Sequence, residues 1–242
     1  MERRLGYLNH REHKKIVPEK IDTVIVPVGT IEAHGVTPLG TDNIIPEAMA
    51  GPIAEEINAL IAPVVPYGIT RGLAGHPGTI TITPEVFKAY MGDIFESLAA
   101  NGFRKIIALN GHGGQTNELK DALFATSRKT HARTMLVEWW VDTDEIRSKH
   151  LEREGGHGGS DETAAVMAID SSLVRTDLYD EKQVAYYSRA YSAYPVPGSI
   201  IVYTEGDSSL NFDQDKCKAY FEAVTKKTTG IIKEVLAKWA LI

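Results

Sequence analysis

The chain has 242 residues, with a hydrophobic content of 43% and a charged content of 24%, which are ordinary values for a globular protein. Its formal net charge of −6 gives no basic footprint, so we predict no nucleic-acid partner and no anionic membrane surface as a partner. The single cysteine, Cys217, excludes an internal disulfide framework, and we expect it to be inert and packed in a helix. We find no apolar leader and no apolar run near the ~20 residues that span a bilayer, and therefore expect a cytoplasmic protein.

Short apolar runs alternate with helical patterns along the chain. We predict strands from about residue 22 and over 61–65, 79–83, 105–109 and 134–140. We predict helices over 43–59, 84–100, 116–130, 143–152, 162–169 and 213–239, with a kink or break at Gly51-Pro52. This alternation is typical of a largely parallel sheet with helices on both faces. No repeat or linker is evident, so we expect a single domain over residues 1–242. Residues 175–207 are tyrosine-rich, and we expect extended segments or an oligomer contact there.

The segment that follows the first strand, GTIEAHGVTPLGTD, carries three side chains suited to a divalent cation. They are Glu32, His34 and Asp42. Glu32 and His34 are two residues apart and would face opposite sides of an extended segment, so each could serve a different metal. Asp42 could then bridge two ions. The alternative is a surface acid, a satisfied polar histidine and an aspartate that only caps the following helix.

Two further glycine-rich loops each carry a histidine. His112 lies in NGHGG, directly after the predicted strand 105–109, where glycines permit close approach of a ligand. His157 lies in GGHGGSDE, and Glu162 ends that motif at a predicted helix start. A tight turn with an exposed histidine, or an acid that interacts with a helix dipole, remains the alternative for each loop. The glycine-rich segment 67–78 is long enough to reach the same site.

The segments VGTIEAHGVTPLGTD, GHPGTITITPE, LNGHGGQTN and GGHGGSDETA occur in this order. Together they resemble the creatininase (creatinine amidohydrolase) family. The NGHGG form is similar to the branch that holds formamide hydrolases and mycofactocin-precursor peptidases. This resemblance implies a three-layer α/β/α sandwich and hydrolysis of a C–N bond other than an ordinary peptide bond. It also implies a centre of two divalent metal ions (Zn, Mn or Fe) and a homo-oligomer, with a hexamer favoured.

The resemblance also implies roles for individual residues. Glu32, Asp42 and His112 match the ligands of one metal, and His34 and Asp42 match ligands of the other. Creatininases carry a glutamate two residues after the histidine of the NGH motif, where this chain has Gly114. Glu162 is our candidate to replace that ligand, and His157 is a candidate proton carrier.

We therefore predict an enzyme that hydrolyses a small-molecule amide, cyclic amide or formamide. The N–H groups of Gly113 and Gly114 are candidates to stabilise the oxyanion, and His157 would give a proton to the leaving nitrogen from an unperturbed pKa near 6.5. Trp139 and Trp140 could stack on a flat substrate, although a core or interface role is the stronger expectation. The alternatives are a lactonase or deaminase on the same centre, or a metal- or small-molecule-binding oligomer without activity.

Overall fold

A computed structural model of the chain describes residues 1–153, 155–180, 194, 210 and 212–241. Its central sheet has four strands, β1 (Thr23–Val28), β2 (Leu60–Ile61), β3 (Lys105–Asn110) and β4 (Arg133–Glu138), in the order β2-β1-β3-β4. All three neighbouring pairs are parallel, in agreement with the largely parallel sheet that the sequence predicts.

Seven α-helices accompany the sheet in the described part of the chain. They are α1 (His10–Ile16), α2 (Thr41–Ile57), α3 (Pro84–Ala100), α4 (Thr116–Thr130), α5 (Asp144–His150), α6 (Ser160–Ile169) and α7 (Gln214–Trp239). Helix α4 has the predicted bounds, and α3 begins with Pro84 in its first turn and ends before Gly102, whose φ of 101° is left-handed. The helix patterns of the sequence are therefore confirmed to within two residues at most ends.

Of the kink or break predicted at Gly51-Pro52, the break is wrong, and the kink stays a prediction. Helix α2 is continuous from Thr41 to Ile57 and contains both Pro46 and Pro52. The side chains of Ile45, Met49 and Ile53 on this helix are completely buried. Their burial outweighs the local cost of two missing backbone donors, because packing of an apolar face supplies most of the stability of a helix in a folded protein.

Two predicted strands are also shorter than expected or absent. Strand β2 has only two residues, and the end of the predicted segment 61–65 contacts the sheet through a single bridge between Val65 and Val28. Residues 79–83 form no strand, and Ile80 makes an isolated antiparallel bridge with Ile31. The Thr79 hydroxyl group accepts from the N–H of Ala33, and the Thr81 hydroxyl group accepts from the N–H of Thr70. The segment therefore connects the loop after β1 with the loop 67–78.

Alternate side chains of the strands enter two separate cores. In β1, Ile25 packs in the core formed with α2, α6 and α7, whereas Val24 and Val26 pack in the core formed with α3 and α4. In β3, Ile107 and Ile106 divide in the same way. The fold is therefore a three-layer α/β/α sandwich, as predicted.

The strand order reverses between β1 and β3, since the connection from β1 leads to β2 on one side and the sheet then continues through β3 on the other. Such a reversal opens a crevice at the carboxyl ends of the two central strands, and open α/β sheets bind ligands there. The loop after β1 and the NGHGG loop after β3 both lie at this crevice.

Part of the predicted tyrosine-rich region lies outside the described residues, which include only a short 3-10 helix, Thr176–Leu178, at its beginning. The assignment of residues 1–242 to one domain stays a prediction. Within the described ranges, the helices are too short or too polar to cross a membrane.

Candidate metal centre

The loop after β1 holds Glu32 and His34 in place through its own backbone. The Glu32 N–H donates to Leu39 O at 2.9 Å, and the N–H of Thr37 donates to His34 O at 3.1 Å. Gly35 lies between them with a φ of 59°, which an L side chain rarely adopts. The loop is thus a compact turn whose two functional side chains are both about 1% exposed.

Asp42 enters the same site from the first turn of α2. The residue that precedes this helix is Gly40, and it makes no side-chain capping bond, so Asp42 does not serve as the cap. Gly29 and Gly111, at the ends of β1 and β3, lie directly against the backbone of Asp42. A Cβ atom at these positions would come within 2.2 Å and 2.0 Å of Asp42 O. The two glycines therefore allow the start of α2 to sit between the strand ends.

The carboxylate of Asp42 lies between two imidazoles. Its Oδ1 is 2.9 Å from His34 Nε2, and its Oδ2 is 3.0 Å from His112 Nδ1. On one side, Glu32 Oε1 is 3.1 Å from His112 Nδ1. On the other, Glu162 Oε2 is 3.7 Å from His34 Nε2. The structure thus brings together two groups of three possible ligands, Glu32–Asp42–His112 and His34–Asp42–Glu162, which share Asp42.

Three histidines point at this cluster in the same manner. One ring nitrogen of each faces a backbone carbonyl oxygen, which can only accept, so that nitrogen carries the proton. The contacts are His34 Nδ1 to Glu32 O at 3.0 Å, His112 Nε2 to Ile69 O at 2.8 Å and His157 Nε2 to Ala33 O at 2.6 Å. In the neutral form, the other nitrogen of every ring directs its lone pair at the carboxylates. Side chains far apart in the sequence are thereby oriented as metal ligands require.

The buried polar atoms at the centre fit a cation. Both carboxylate oxygens of Glu32, Oδ2 of Asp42 and Nε2 of His34 are buried and make no hydrogen bond within the described part of the chain. His34 Nε2 lies 2.9 Å from Asp42 Oδ1, and Asp42 Oδ2 lies 3.0 Å from His112 Nδ1. These are ion-pair distances, but the atoms are not in hydrogen-bonding geometry. Orphaned groups of this kind are costly unless an ion satisfies them. The donor set of carboxylates and imidazoles suits Zn, Mn or Fe.

The electrostatics of the cluster follow from burial and close approach of charges. Burial opposes charge on His34, but Asp42 and the other carboxylates outweigh it and raise the pKa of His34 to about 10. The pKa of His112 is raised for the same reason, by Glu32 and Asp42. Burial raises the pKa of Glu162 well above its usual range. Protons and cations therefore compete for the same atoms in this site.

The environment of His157 differs from the sequence-based expectation. Burial, and then the positive charge of His34 at a ring-centroid distance of 4.3 Å, lowers the pKa of His157 to about 4. The expected unperturbed pKa is therefore wrong, and the ring is neutral at neutral pH. Its Nδ1 lies 3.4 Å from Glu32 Oε1, and His157 also joins Glu32 and His34 in a third group of possible metal ligands.

A pocket of about 730 Å³ opens on the cluster. Its described lining residues are Glu32, Ile69, Thr70, Arg71, Gly72, Leu73, Gly111, His112, Gly113, Gly114, Trp140, Gly156, His157, Asp161, Glu162 and Tyr194. The segment 67–78 thus reaches the site, as expected. Trp140 lines the pocket, whereas Trp139 is 2% exposed and packs in the core with α2, α6 and α7. The stacking role considered for Trp139 is therefore not available to it.

The structure explains why the position after His112-Gly113 is a glycine. A Cβ atom on Gly114 would lie 2.4 Å from His112 Nε2 and 2.6 Å from Ile69 O. The hydrogen bond between His112 and Ile69 occupies the space that a side chain would need. Glu162 instead approaches from α6, with its Oε2 accepting from the N–H of Gly158 at 2.6 Å.

Sequence reasoning missed several residues that support the site. Asn110 donates to His112 O at 2.7 Å and accepts from its N–H, and buried Gln115 donates to Asn110 Oδ1 at 3.0 Å. Asp161 is 5% exposed, lines the pocket and accepts from the N–H of Gly156 at 3.0 Å. All three lie inside the motifs LNGHGGQTN and GGHGGSDETA. Polar residues so close to the candidate histidines could have indicated that they support the site.

The sequence model of the creatininase family, described as creatinine amidohydrolase, matches residues 7–232. The chain belongs to the creatininase family. It is accordingly an enzyme, and the prediction of a hydrolase that acts on C–N bonds is confirmed.

Two curated relatives show where the chain lies in this family. It is 26% identical to creatinine amidohydrolase of Pseudomonas putida over 211 residues, which cover 79% of this chain and 81% of that protein. It is 34% identical to a mycofactocin precursor peptide peptidase of Mycolicibacterium smegmatis over 180 residues, which cover 72% of this chain and 66% of the relative. The higher identity to the peptidase agrees with the predicted branch.

Solved structures confirm the fold. A crystal structure of creatinine amidohydrolase superposes with a TM-score of 0.84 at 21% identity, covering 96% of this chain and 97% of the other. A creatinine amidohydrolase-like protein from Bacteroides fragilis superposes with a TM-score of 0.77 at 23% identity, covering 97% of each chain.

Proposed function

We propose that the chain is an amidohydrolase that uses two divalent cations to cleave a C–N bond in a small molecule that is not an ordinary peptide. One observation carries the proposal: the two oxygens of Asp42 face two imidazoles whose protonated nitrogens are fixed on backbone carbonyls. In the neutral rings this arrangement directs lone pairs at a shared carboxylate, and the raised pKa values of both rings show that protons take these positions when no cation is bound. A charge-neutralising cation on each side of Asp42 satisfies that carboxylate.

The metal-holding roles divide as the geometry suggests. Glu32, Asp42 and His112 would hold one cation, and His34, Asp42 and Glu162 the other. Bound there, Zn, Mn or Fe would supply Lewis-acid polarisation of the amide carbonyl and a water with a pKa near neutrality. Support for such metals comes from creatininase structures that are described with zinc and with manganese.

His157 is the proposed proton carrier, and the structure suggests the direction of transfer. Its Nε2 is engaged with Ala33 O, so only Nδ1, beside Glu32, can take up a proton. Because its pKa is lowered, the ring begins neutral and acts first as a base. It then returns the proton to the leaving nitrogen, as general acid–base catalysis requires.

Two glycines of the NGHGG loop are our proposed donors to negative charge on the substrate oxygen. Gly113 and Gly114 begin a 3-10 helix, Gly113–Gln115, at the pocket wall. The first N–H groups of such a helix have no acceptor within it. They are therefore candidates to donate to the developing oxyanion.

The substrate is not set by family membership, since relatives are named for different ones. Besides creatinine and the mycofactocin precursor peptide, a 3-dehydro-scyllo-inosose hydrolase of Thermotoga maritima is 34% identical over 118 residues, which cover 47% of this chain and 38% of that protein. The competing proposals are therefore a lactonase or deaminase on the same centre, and a binding oligomer without activity. We also propose a cytoplasmic homo-oligomer, with a hexamer favoured, which light scattering would test.

The deciding experiment measures metal content per subunit on protein purified without chelator, together with turnover of a panel of formamides, cyclic amides and lactones. We expect two metals and preferential turnover of an amide. His34→Ala and Asp42→Ala lose metal and turnover together, whereas the control Asp121→Ala, at an exposed aspartate paired with Lys88, keeps both. Full activity in metal-stripped protein would overturn the proposal.

A further inference from the structure

The pocket over the centre has one cationic side chain of the lysine or arginine type among its described lining residues, Arg71. Its other charged lining groups are the histidines and the carboxyl groups of Glu32, Asp161 and Glu162. Glu32 and Glu162 belong to the proposed metal centre. Arg71 has no such part in the centre, so its presence at the pocket needs a separate explanation.

The backbone that carries Arg71 is anchored to the metal centre. The N–H of Ile69 donates to Gln115 Oε1 at 3.4 Å, and Ile69 O accepts from His112 Nε2 at 2.8 Å. The N–H of Thr70 then donates to Thr81 Oγ1 at 3.0 Å. Since two residues span at most ~7 Å, the Cα of Arg71 is held close to the carbonyl that orients His112.

The guanidinium of Arg71 is oriented by one partner and keeps further donors for a ligand. Its Nη2 lies 3.2 Å from Oε1 of Glu118, in the first turn of α4, and the Arg71 side chain is 55% exposed. A guanidinium has five N–H groups in a planar fork, and one contact leaves the others for a second carboxylate. Glu118 therefore orients the guanidinium group of Arg71 and leaves other N–H donors of the group for a ligand.

We infer that Arg71 selects substrates that carry a carboxylate remote from the scissile amide bond. This inference rests on the proposed amidohydrolase function and names its substrate class: an acylated or formylated amino acid, or a cyclic amide with an acid substituent. A single guanidinium matches a monoanion with two coplanar oxygens. A phosphate dianion would call for additional cations, which the described lining lacks.

The test uses pairs of N-formyl amino acids and their carboxamides, which differ only in the remote charge. The wild-type enzyme should prefer the acid, and Arg71→Gln should lower kcat/KM for the acid at least ~10-fold while changing that for the carboxamide less than ~2-fold. The control Arg4→Gln removes an equally exposed, ion-paired arginine outside the pocket and should change nothing. An equal loss for acid and carboxamide in Arg71→Gln would overturn the inference.

A binding measurement separates this inference from the proposed function. Calorimetric titration of the same acids and carboxamides into metal-stripped protein follows binding without turnover, and Arg71→Gln should weaken binding of the acid only. If no panel member is hydrolysed but this difference persists, the amidohydrolase proposal fails and the carboxylate site stands. If hydrolysis occurs but Arg71→Gln leaves acid binding unchanged, the site fails and the function stands. Tighter binding of inorganic phosphate than of any acid, lost in Arg71→Gln, would also refute the carboxylate assignment.

Discussion

His112 donates its Nε2 proton to the carbonyl oxygen of Ile69 at 2.8 Å, and this bond joins the NGHGG loop to the long loop 67–78. It fixes the tautomer of the neutral ring, in which the Nδ1 lone pair faces Glu32 and Asp42. The bond also fills the space beside Gly114. Metal binding, loop position and pocket shape are thus coupled through a single contact.

We expect Gly114→Ala to weaken metal binding, because its Cβ would lie 2.4 Å from His112 Nε2 and displace the ring from Ile69. The metal content per subunit should fall by about one. Gly113→Ala is a matched control, since its Cβ would be no closer than 3.7 Å to Trp140. Elemental analysis of the two variants checks the prediction, and equal metal content would contradict it.

Replacement of Glu162, the proposed metal ligand on α6, should reduce the metal content by one ion per subunit. Glu162→Gln keeps the size of the side chain but replaces the carboxyl group near His34 by an amide, which cannot become an anionic ligand. We expect the content to fall from two metals per subunit to about one, with turnover reduced by two orders of magnitude or more. Glu85→Gln, in the first turn of α3, controls for loss of an acid near a helix N-terminus. Retention of both metals in Glu162→Gln would remove Glu162 from the ligand set.

The close approach of α2 to the strand ends should make Gly111 intolerant of a side chain. In Gly111→Ala the Cβ would lie 2.0 Å from Asp42 O, which is backbone and cannot rotate away. We expect a loss of roughly 3 kcal/mol or more in the free energy of unfolding, together with loss of metal. Gly92→Ala and Gly230→Ala, in helices with no atom within 4 Å of the new Cβ, should each stabilise the protein by ~0.5–1 kcal/mol in urea denaturation. A stable, metal-loaded Gly111→Ala protein would show that α2 can move.

The two neighbouring tryptophans should respond differently to substitution. Trp139→Leu leaves a cavity in the core and should lower the free energy of unfolding by ~2–4 kcal/mol. Trp140→Leu removes a pocket wall and should raise KM with a smaller change in stability. Denaturation curves and steady-state kinetics on both proteins measure the two effects. The reverse pattern would mean that the pocket is formed by Trp139.

The pH dependence of stability should contain a contribution from the Asp22–Lys105 pair at the start of β1 and β3. Burial opposes ionisation of Asp22, but hydrogen bonds from Lys105 Nζ at 2.9 Å and 2.7 Å outweigh it and lower the pKa of Asp22. A folded-state pKa below the unfolded value of ~3.9 stabilises the protein above that pH, and the contribution disappears as pH falls through the lowered pKa.

The Lys105→Met protein should therefore be less stable than wild type by up to ~1 kcal/mol at pH 7, with the difference shrinking as the pH falls below the unfolded-state pKa of ~3.9. Urea denaturation at pH 7, 4 and 3 measures it. Lys88→Met, which breaks an exposed pair with Asp121, is the control and should show little difference at any pH. A Lys105→Met difference that is constant across the pH range would exclude the ion pair as its cause.

Sequence alone determined the elements whose signals are local. Helix α4 has the predicted bounds, and α3 begins at Pro84 and ends before Gly102, because proline and glycine impose their φ preferences wherever they occur. The three glycine-rich histidine loops were also visible, since metal-ligating residue types beside flexible backbone form a compact pattern. Their order and spacing were enough to identify the family and the fold.

Tertiary structure decided what depends on neighbours from distant segments. Helix α2 continues through Pro52 because its apolar face is buried. Segment 79–83 forms one bridge, between Ile80 and Ile31, and its Thr79 and Thr81 hydroxyl groups accept from the backbone of two loops. Trp139 and Trp140 are adjacent in sequence, yet one is core and the other lines the pocket. Likewise, only the tertiary structure brings Ile69 O within hydrogen-bonding distance of His112 and places Arg71 in the lining of the pocket. Burial and hydrogen-bond partners are properties of the packed molecule, and no local sequence pattern encodes them.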